Sequence, residues 1–451
     1  MKKKITVLII LLLIIIIGVG GFYIYIYNNT KQWTNVVYPG VKIGQVDISG
    51  KTLAEAKDMV TKKYGEAILK KNITIKTSVK TYSLDYTKIN ARYNIDEVVG
   101  EAFSYGRNLN LYEKYKLIKK ATNKQLDLKF VYDPKPITQL LATMKKEIDK
   151  NPQEGSISFS GGKFTVVSDK KGAKLVTDKV EKEILSKING DLDSPNIVAE
   201  AEIQTVLANK TAEKLQKVDT IISSFSSNFS SSAAGRSTNI TLATLSINGT
   251  FLMPGESFSF NGKVGQRTAA KGYQPAPVDI GTKVGSDYGG GICQVSTALY
   301  NTIIRANIKS TVRNHHSIPS TYIPLGMDAT VDWGNLDYAF TNTLAYPVYI
   351  ESTVRNKILT FNVYSNSSLN DKTYNLVNDI YETVAPGPTQ YINDSTLPVG
   401  QNVQDQFPLT GHKVRVYKDT MQNGKVIEHL LISNDTYKMV AQVIKRGTKA
   451  N

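Results

Sequence analysis

The stretch "SDYGGGICQVSTALYNTIIRANIKSTVRNHHSIP" (residues 286–319) decides the fold prediction for the part of the chain around it. Within this stretch, three glycines precede Cys293, the only cysteine in 451 residues, and two of the chain's four histidines follow it. After the cysteine, apolar and small residues recur at the spacing of one helical face. These positions are Val295, Ala298, Leu299, Thr302, Ile303 and Ala306. The pattern predicts an amphipathic helix with Cys293 at its amino end.

Cys293 is predicted to be a free, reactive thiol. A single cysteine cannot form an internal disulfide, and a lone cysteine in an exported chain indicates a reactive thiol or an intermolecular bridge. The N–H groups and the positive dipole end of a helix stabilise a thiolate, and they also stabilise an oxyanion. Gly289, Gly290 and Gly291 permit positive φ and close approach of a substrate to the backbone. The alternative is an inert cysteine that only fills space.

A thiol nucleophile needs a proton acceptor, and His315 and His316 are the candidates. We expect both on a strand that begins at "STVRN", where neighbours point to opposite faces, so that only one imidazole faces the thiol. Asp328 in "PLGMDATVDWG" is the first choice to orient that imidazole, and Asp332 is the second. A zinc site is the alternative, but adjacent strand histidines do not chelate one ion, so no metal is expected. No Lys-Ser/Thr pair follows the three glycines, so the stretch does not match a phosphate-binding loop.

The amino terminus predicts an uncleaved membrane anchor. Three lysines precede residues 5–27, "ITVLIILLLIIIIGVGGFYIYIY", which are uncharged and almost wholly apolar. About 20 such residues span a bilayer as a helix, and the lysines favour the cytoplasmic side, so the bulk of the chain is expected outside. The alternative is a cleaved signal peptide, whose apolar stretch is shorter, about 7 to 15 residues, and ends in small residues.

The formal net charge of +16 bears on the expected partners. Outside a cell, nucleic acid is not an expected partner, whereas a positive surface attracts anionic wall polymers and the outer membrane surface. The alternative is that the lysines only form solvated faces, because no block of five or more like charges occurs.

Composition and pattern divide the chain into four parts, and the predicted fold class is α+β. Residues 1–34 hold the cytoplasmic lysines, the transmembrane helix and a stalk. Residues 35–206 repeat a pattern of short strands and a helix. Residues 207–367 form the α+β domain with the cysteine, and residues 368–451 form a small β-rich module with "NG" and "PG" turns.

Several local features refine this division. Ser49 or Thr52 is expected to cap the helix that contains "LAEAKDMV". "PKPITQLLATMKKEID" (134–149) is expected to be a linker helix, and "AEKLQKVDTIISSF" (212–225) the first helix of the cysteine domain. "SSFSSNFSSSAAGRS" (223–237) is predicted to be a surface loop within that domain. An alternating hairpin that turns at "RNK" is expected to close the domain.

Four motifs carry a resemblance to a known family. They are "LMPGESFSFNGKVGQRTAAKGYQPAP", "GGGICQVSTALYN", "HSIPSTYIPLGMDATV" and "LDYAFTNTLAYPVYI". Through them, roughly a third of the chain closely resembles the VanW domain family. The preceding repeats resemble peptidoglycan-binding-type repeats, and the tail, best at "DTYKMVAQVIKRGTK", resembles a G5 module. The whole order is similar to that of Gram-positive surface proteins.

The resemblance implies a membrane-anchored peptidoglycan L,D-transpeptidase that forms 3-3 cross-links through a cysteine acyl-enzyme. Some members with this architecture are implicated as such enzymes, with the cysteine of "GGGxCQ" as nucleophile, which is Cys293 here. His316 matches the histidine of "HS-x-P" and is favoured over His315, and Asp328 matches the aspartate of "DATV". Two alternatives remain: a non-catalytic wall-binding or adhesion protein, and a cysteine peptidase acting on stem peptides. No cofactor is expected.

The substrate is expected to contact the glycine turn, the first turn of the helix and one arginine. The expected substrate-binding residues are Gly290, Gly291, Gln294, Ser296, Thr297 and Arg267. Arg267, in "GQRTAAKGY", is a candidate for holding a stem-peptide carboxylate, because a guanidinium binds planar carboxylates through two parallel hydrogen bonds. Its alternative role is a structural pairing with a nearby acid.

Overall fold

The structure, a computed structural model, describes residues 1–280 and 283–449. Residues 1–152 and 171–206 form one compact unit. Residues 153–170 and those from 207 onward form a second. Both combine helices with small sheets, which confirms the predicted α+β class. The predicted domain boundaries stay predictions, and the last two residues of the predicted C-terminal module lie outside the described residues.

The first unit contains seven of the described helices and ten short strands. The helices are α1 (Lys2–Lys31), α2 (Leu53–Val60), α3 (Glu66–Ile68), α4 (Ile95–Ser104), α5 (Leu111–Lys120), α6 (Lys135–Ile148) and α7 (Asp178–Lys187). The strands of residues 1–206 are β1 (Val41–Ile43), β2 (Val46–Asp47), β3 (Asn72–Lys76), β4 (Thr81–Asp85), β5 (Arg92–Tyr93), β6 (Lys124–Leu126), β7 (Phe130–Val131), β8 (Ser156–Ser160), β9 (Lys163–Val167), β10 (Gly172–Leu175), β11 (Ile197–Glu200) and β12 (Ile203–Val206). Of these, β8 and β9 belong to the second unit.

Helix α1 is long and apolar enough to cross a membrane, which is compatible with an anchor or a signal sequence. Most of its apolar side chains are exposed. Its last turns differ, because Ile26 and Thr30 are buried and the ring of Tyr25 makes an edge contact with Tyr115 of α5, 5.9 Å between centroids. The carboxyl end of α1 therefore packs against the folded part of the first unit.

Two local predictions for the first unit have different outcomes. Thr52 is the N-cap of α2: its hydroxyl accepts from the N–H of Glu55, and the Glu55 carboxylate accepts from the N–H of Thr52. This confirms the predicted cap. The prediction that residues 134–149 are a linker is wrong, because α6 buries four apolar side chains in the main core of the unit. They are Ile137, Leu141, Met144 and Ile148.

The second unit contains the cysteine. Its helices are α8 (Ala212–Leu215), α9 (Ala234–Ile247), α10 (Phe260–Val264) and α11 (Ile292–Arg305). Its further strands as far as residue 365 are β13 (Thr220–Asn228), β14 (Thr250–Leu252), β15 (Ser257–Ser259), β16 (Pro275–Ile280), β17 (Lys283–Tyr288), β18 (Ser310–Val312), β19 (Ala339–Thr341), β20 (Val348–Arg355) and β21 (Ile358–Ser365). A four-stranded sheet has the order β13-β21-β20-β14, and α9 and α11 pack on it.

Helix α11 confirms the predicted helix, but it is more than amphipathic. The predicted stripe is buried, and so are the polar residues Gln294, Ser296, Thr297, Asn301 and Thr302, the first four of which lie outside that stripe. A helix buried on all sides must bond its polar side chains within the protein. Each of these five does so, and α11 therefore forms the centre of the unit.

Three sequence predictions around α11 are wrong. Residues 223–237 are not a surface loop, since they supply most of β13 and the first turn of α9. The helix predicted over residues 212–225 is only the four-residue α8, because the alternating segment that follows pairs with β21. The strand expected to carry the histidines, β18, ends at Val312, before either histidine. The hairpin β20–β21 with its turn at Asn356 and Lys357 is as predicted.

A hairpin from the middle of the repeat region also belongs to the second unit. Strands β8 and β9 place Phe159 and Phe164 against Tyr349 and Tyr364 of the four-stranded sheet, with ring centroids 4.8 to 6.4 Å apart. Such aromatic clusters contribute about 0.5–1.5 kcal/mol per pair beyond area burial. The hairpin thereby covers the part of the outer sheet face that carries Tyr349 and Tyr364.

The remaining strands form the β-rich C-terminal part of the second unit. They are β22 (Thr373–Val384), β23 (Gln390–Pro398), β24 (Asn402–Gln406), β25 (Gly411–Gln422), β26 (Lys425–Tyr437) and β27 (Val443–Lys449). They form two three-stranded sheets, β22-β25-β26 and β23-β27-β24. Val414 and Val416 of β25 and Tyr437 of β26 are buried in the same hydrophobic core as Ile303 of α11. The sheet β22-β25-β26 therefore contributes buried side chains to this core.

We expect Ile303→Ala to lower the free energy of unfolding of the second unit by about 2–5 kcal/mol. Ile303 is fully buried, so the substitution removes apolar contacts and leaves a cavity. Chemical denaturation of the detergent-solubilised chain measures the change. Leu245→Ala on α9 is the control, because Leu245 is half exposed and should cost far less. Equal losses for the two variants would contradict the central place of α11.

Candidate active site

The turn before Cys293 depends on glycine for packing. Gly289 and Gly291 have φ values of 106° and 98°, a region that favours glycine. A Cβ at Gly290 would lie 2.5 Å from the carbonyl oxygen of Pro277, and one at Gly291 would lie 2.9 Å from Cγ1 of Ile240. The chain's own β16 and α9 therefore occupy the space that these two glycines leave. Contact of Gly290 and Gly291 with a substrate stays a prediction.

Cys293 lies in the first turn of α11, which Gly291 precedes as N-cap. The thiol is half-buried. Its Sγ lies 3.3 Å from the hydroxyl of Thr330 and 3.5 Å from the carbonyl oxygen of Val331. The neutral thiol donates to the carbonyl, and the Thr330 hydroxyl is able to donate to a thiolate. The segment that follows Asp328 in the chain thus runs directly against the sulfur.

His316 and Asp328 form a buried pair next to this thiol. Nδ1 of His316 lies 2.6 Å from Oδ2 of Asp328, and the backbone N–H of His316 donates to the same oxygen at 2.6 Å. Because an ionised carboxylate only accepts, Nδ1 carries a proton and Nε2 is the nitrogen available to Cys293. The hydroxyl of Tyr322 lies 3.5 Å from Nε2. The structure therefore brings Cys293, His316 and Asp328 together.

His315 has different partners. Its Nδ1 lies 2.7 Å from the carbonyl oxygen of His316, and its ring lies 5.3 Å from that of Tyr437. The predicted alternation of strand neighbours does not explain the difference, because both histidines follow β18 in irregular backbone. The hydrogen bonds that Asp328 accepts from the backbone and ring of His316 determine the orientation instead.

The three groups shift one another's pKa values. Burial opposes ionisation of the Cys293 thiol, but the hydrogen bond and charge of His316 outweigh it and hold the pKa of Cys293 below its usual range. Burial also opposes the imidazolium, yet hydrogen bonds with Asp328 and Cys293 raise the pKa of His316 to about 10. Against burial, the hydrogen bond and charge of His316 lower the pKa of Asp328 to about 2. These shifts favour a thiolate beside an imidazolium more strongly than in the isolated groups.

Asp328 is held on its other side by residues far away in sequence. The hydroxyl of Tyr437 donates to Oδ1 at 2.5 Å, and Arg313 donates to the same oxygen at 3.3 Å. Arg313 also donates to the carbonyl oxygen of Asp328 at 2.7 Å. Both carboxylate oxygens of a side chain that is only 1% exposed are therefore hydrogen-bonded.

Gln294, Ser296 and Thr297 point into the protein. Gln294 donates to the Ser227 hydroxyl at 2.8 Å and accepts from Arg236. Ser296 donates to the carbonyl oxygen of Ala329 at 2.6 Å, and Thr297 accepts from the N–H of Ala329 at 3.0 Å. All three are at most 2% exposed. In this state they position the chain around Cys293, and their contact with a substrate stays a prediction.

Arg267 lies close to the thiol, and two of its guanidinium nitrogens have no hydrogen-bond partner among the described residues. Nη1 donates to Oδ1 of Asn261 at 2.7 Å, while Nε and Nη2 are buried and have no partner among the described residues. Burial lowers the pKa of Arg267. A buried N–H group without an acceptor is costly, so Arg267 is suited to receive an anion.

The two rival predictions for this site are a metal ion and an orienting role for Asp332. Within residues 1–280 and 283–449, no group of three His, Cys, Asp or Glu side chains is placed to hold a metal ion. Asp332, the second choice to orient the imidazole, is exposed and accepts from Asn335 at 2.7 Å, whereas Asp328 meets His316.

Sequence analysis missed several residues that surround the catalytic candidates. They are Thr330, Tyr322, Arg313, Asp435 and Tyr437. The first three lie within or beside the motifs quoted for the VanW resemblance, so closer attention to their polar atoms would have found them. Asp435 and Tyr437 lie more than 100 residues away from Asp328 in the chain, and no local pattern signals their presence at this site.

Comparison with known families agrees with this architecture. Residues 235–364 match the family described as VanW like protein, residues 82–196 match a putative peptidoglycan binding domain, and residues 378–449 match the G5 domain. These segments of the chain therefore match a VanW-like domain, a peptidoglycan-binding-type domain and a G5 domain. The predicted resemblance is confirmed in all three parts.

Individual relatives cover parts of the chain. Uncharacterized protein YoaR of Bacillus subtilis (strain 168) is 38% identical over 144 residues, which is 32% of this chain and 48% of the relative. The match thus spans about half the length of that relative. The G5 domain of an IgA1 protease is 17% identical, with a TM-score of 0.14, and the match covers 17% of this chain and 90% of that domain. The HP0197 G5 domain is 25% identical, with a TM-score of 0.11, and the match covers 17% of this chain and 95% of that domain.

We expect Cys293 to react with iodoacetamide at pH 6 about tenfold or more faster than free cysteine. Its pKa is lowered, so the thiolate fraction at this pH exceeds that of an ordinary thiol, whose pKa is about 8.5. His316→Ala should return the rate to that of free cysteine, because the stabilising cation is lost. His315→Ala is the matched control and should leave the rate unchanged. A native thiol no faster than free cysteine would indicate an inert residue.

Proposed function

We propose that the chain is a membrane-anchored, cysteine-dependent peptidoglycan L,D-transpeptidase that forms 3-3 cross-links. The observation that carries the proposal is the arrangement of a half-buried thiol at the amino end of α11 with a histidine held by a buried aspartate. A nucleophile, a proton-transfer group and an orienting carboxylate in this order suit acyl transfer. A protein that only gripped the wall would need none of these three shifted pKa values.

The first step is acylation of Cys293 by a donor stem peptide. The thiolate attacks the carbonyl carbon of the third stem residue, a C–S bond forms, and the C–N bond to the terminal D-alanine breaks. His316, protonated at rest, gives its proton to the departing amine. The helix amino terminus and Arg267 stabilise the oxyanion or hold a stem carboxylate, because both present N–H groups near the sulfur.

The second step transfers the acyl group to an acceptor. The side-chain amine of a neighbouring stem attacks the thioester carbon, the C–S bond breaks, and the amine proton passes to His316. Thiolate and imidazolium are both restored, so the step balances without a cofactor. If water replaces the amine, the same residues make a peptidase, which is the second candidate that this acyl-enzyme supports.

The other parts of the chain support action at the cell wall. A peptidoglycan-binding-type domain precedes the catalytic candidate and suits retention on the substrate polymer. The carboxyl end of α1 packs against α5, a contact that removal of the helix as a signal peptide would destroy. We therefore propose a single-pass anchor with the bulk of the chain on the wall side. The net charge of +16 favours an anionic surface.

Cys293→Ala should abolish the formation of 3-3 dimers, and Cys293→Ser should be nearly inactive, because a hydroxyl is far less nucleophilic than a thiolate at neutral pH. The measurement is mass analysis of the detergent-solubilised chain incubated with disaccharide-tetrapeptides. A dimer lacking one D-alanine supports transfer. A tripeptide product identifies a peptidase, and no change identifies a binding protein. Wild-type dimer yield from the alanine variant would contradict the proposed nucleophile.

We expect the three polar candidates to differ in single-turnover acylation. His316→Ala should slow it about 100-fold or more, which is typical of lost general acid–base catalysis. Asp328→Asn should have an intermediate effect, because the residue orients the imidazole without transferring the proton. His315→Ala is the control and should change little beyond local packing. If no histidine variant slows acylation tenfold, the helix terminus alone activates the thiol.

A further inference from the structure

The G5 domain reaches the candidate active site through the end of β26. Asp435 and Tyr437, both at most 3% exposed, lie there beside α11 and the segment that carries Asp328. The next residue, Lys438, donates from its backbone N–H to the carbonyl oxygen of Ser317 at 2.8 Å. The domain thus touches the chain next to His316 by backbone as well as by side chains.

Tyr437 determines how the Asp328 carboxylate is rotated. Its hydroxyl donates to Oδ1 at 2.5 Å and accepts from the N–H of Gly326 at 2.7 Å. The backbone of Gly326 fixes the Tyr437 hydroxyl, and this hydroxyl fixes Oδ1 of Asp328. The other oxygen, Oδ2, is therefore directed at Nδ1 of His316. A carboxylate without this support could rotate about its terminal bond, since that torsion has a broad minimum.

Asp435 fixes the second group that holds Asp328. Both of its oxygens accept from Nη1 of Arg313, at 2.8 and 2.6 Å. Arg313 in turn donates to the carbonyl oxygens of Asp328 and Gly326. The arginine side chain is 10% exposed, so without Asp435 it would be a buried charge deprived of its main counter-ion.

We propose that the G5 domain completes the catalytic site, with Tyr437 as a positioning residue for Asp328 and Asp435 as a positioning residue acting through Arg313. The inference rests on the proposed function and adds to it that the acyl-transfer site is shared between the VanW and G5 domains. Neither residue touches substrate. They act by keeping the Asp328–His316 hydrogen bond in place, and this bond maintains the imidazolium that stabilises the thiolate.

The test is Tyr437→Phe in the full, detergent-solubilised chain, which removes one hydroxyl and keeps the ring. Single-turnover acylation should slow about tenfold or more, as is typical when the group that orients a functional ligand is lost. The midpoint of the pH profile of Cys293 alkylation should rise by about one pH unit, because a weaker cation partner stabilises the thiolate less. A loss of overall stability that leaves the site folded would not move this midpoint.

Tyr381→Phe is the matched control. The Tyr381 hydroxyl donates to Asn434 at 2.9 Å within the same sheet and does not contact Asp328, so neither measurement should change. If thermal unfolding shows that Tyr437→Phe does not fold, the same two measurements are made on Asp435→Asn. The acylation rate and the alkylation midpoint should then change in the same directions. A folded variant with the wild-type acylation rate and alkylation midpoint overturns the proposal. Absence of acylation in the wild type would refute the proposed function, while the alkylation profiles still decide the role of Tyr437.

Discussion

The buried carboxylate of Asp328 is the group on which the rest of the site depends. Taking a carboxylate out of water is costly unless hydrogen bonds replace its hydration. Here both oxygens are satisfied, Oδ2 by His316 and Oδ1 by Tyr437 and Arg313. Each donor is itself held by backbone or by another side chain. The orientation of His316, and with it the charge state of Cys293, follows from this arrangement.

Helix α11 links the site to the core. Its apolar residues pack against the four-stranded sheet and α9, while its polar residues bond the segment around Ala329. Asn301 adds a hydrogen bond to the carbonyl oxygen of Met327 at 2.7 Å. The segment that carries Asp328 is therefore aligned with the helix that carries Cys293. A change in the packing of α11 would move Cys293 and Asp328 together.

The second unit draws on parts of the chain that a linear division separates. Strands β8 and β9 come from the middle of the repeat region and pack on Tyr349 and Tyr364 of the central sheet. The G5 domain contributes Val414, Val416 and Tyr437 to the main core. Because these contacts bury apolar surface in one continuous core, the flanking segments stabilise the VanW domain in addition to any binding role.

Four features follow from the local sequence alone. They are α11, the place of Cys293 at its amino end, the Thr52 cap, and the hairpin turn at residues 356 and 357. Periodicity, capping and turn preference act over a few residues, and family motifs pointed to His316 and Asp328. Only the tertiary structure decided that α6 is core, that Gln294 faces inward, and that Tyr437 meets Asp328 across 109 residues of chain. Contacts at such separation depend on how whole elements pack, and no short pattern encodes them.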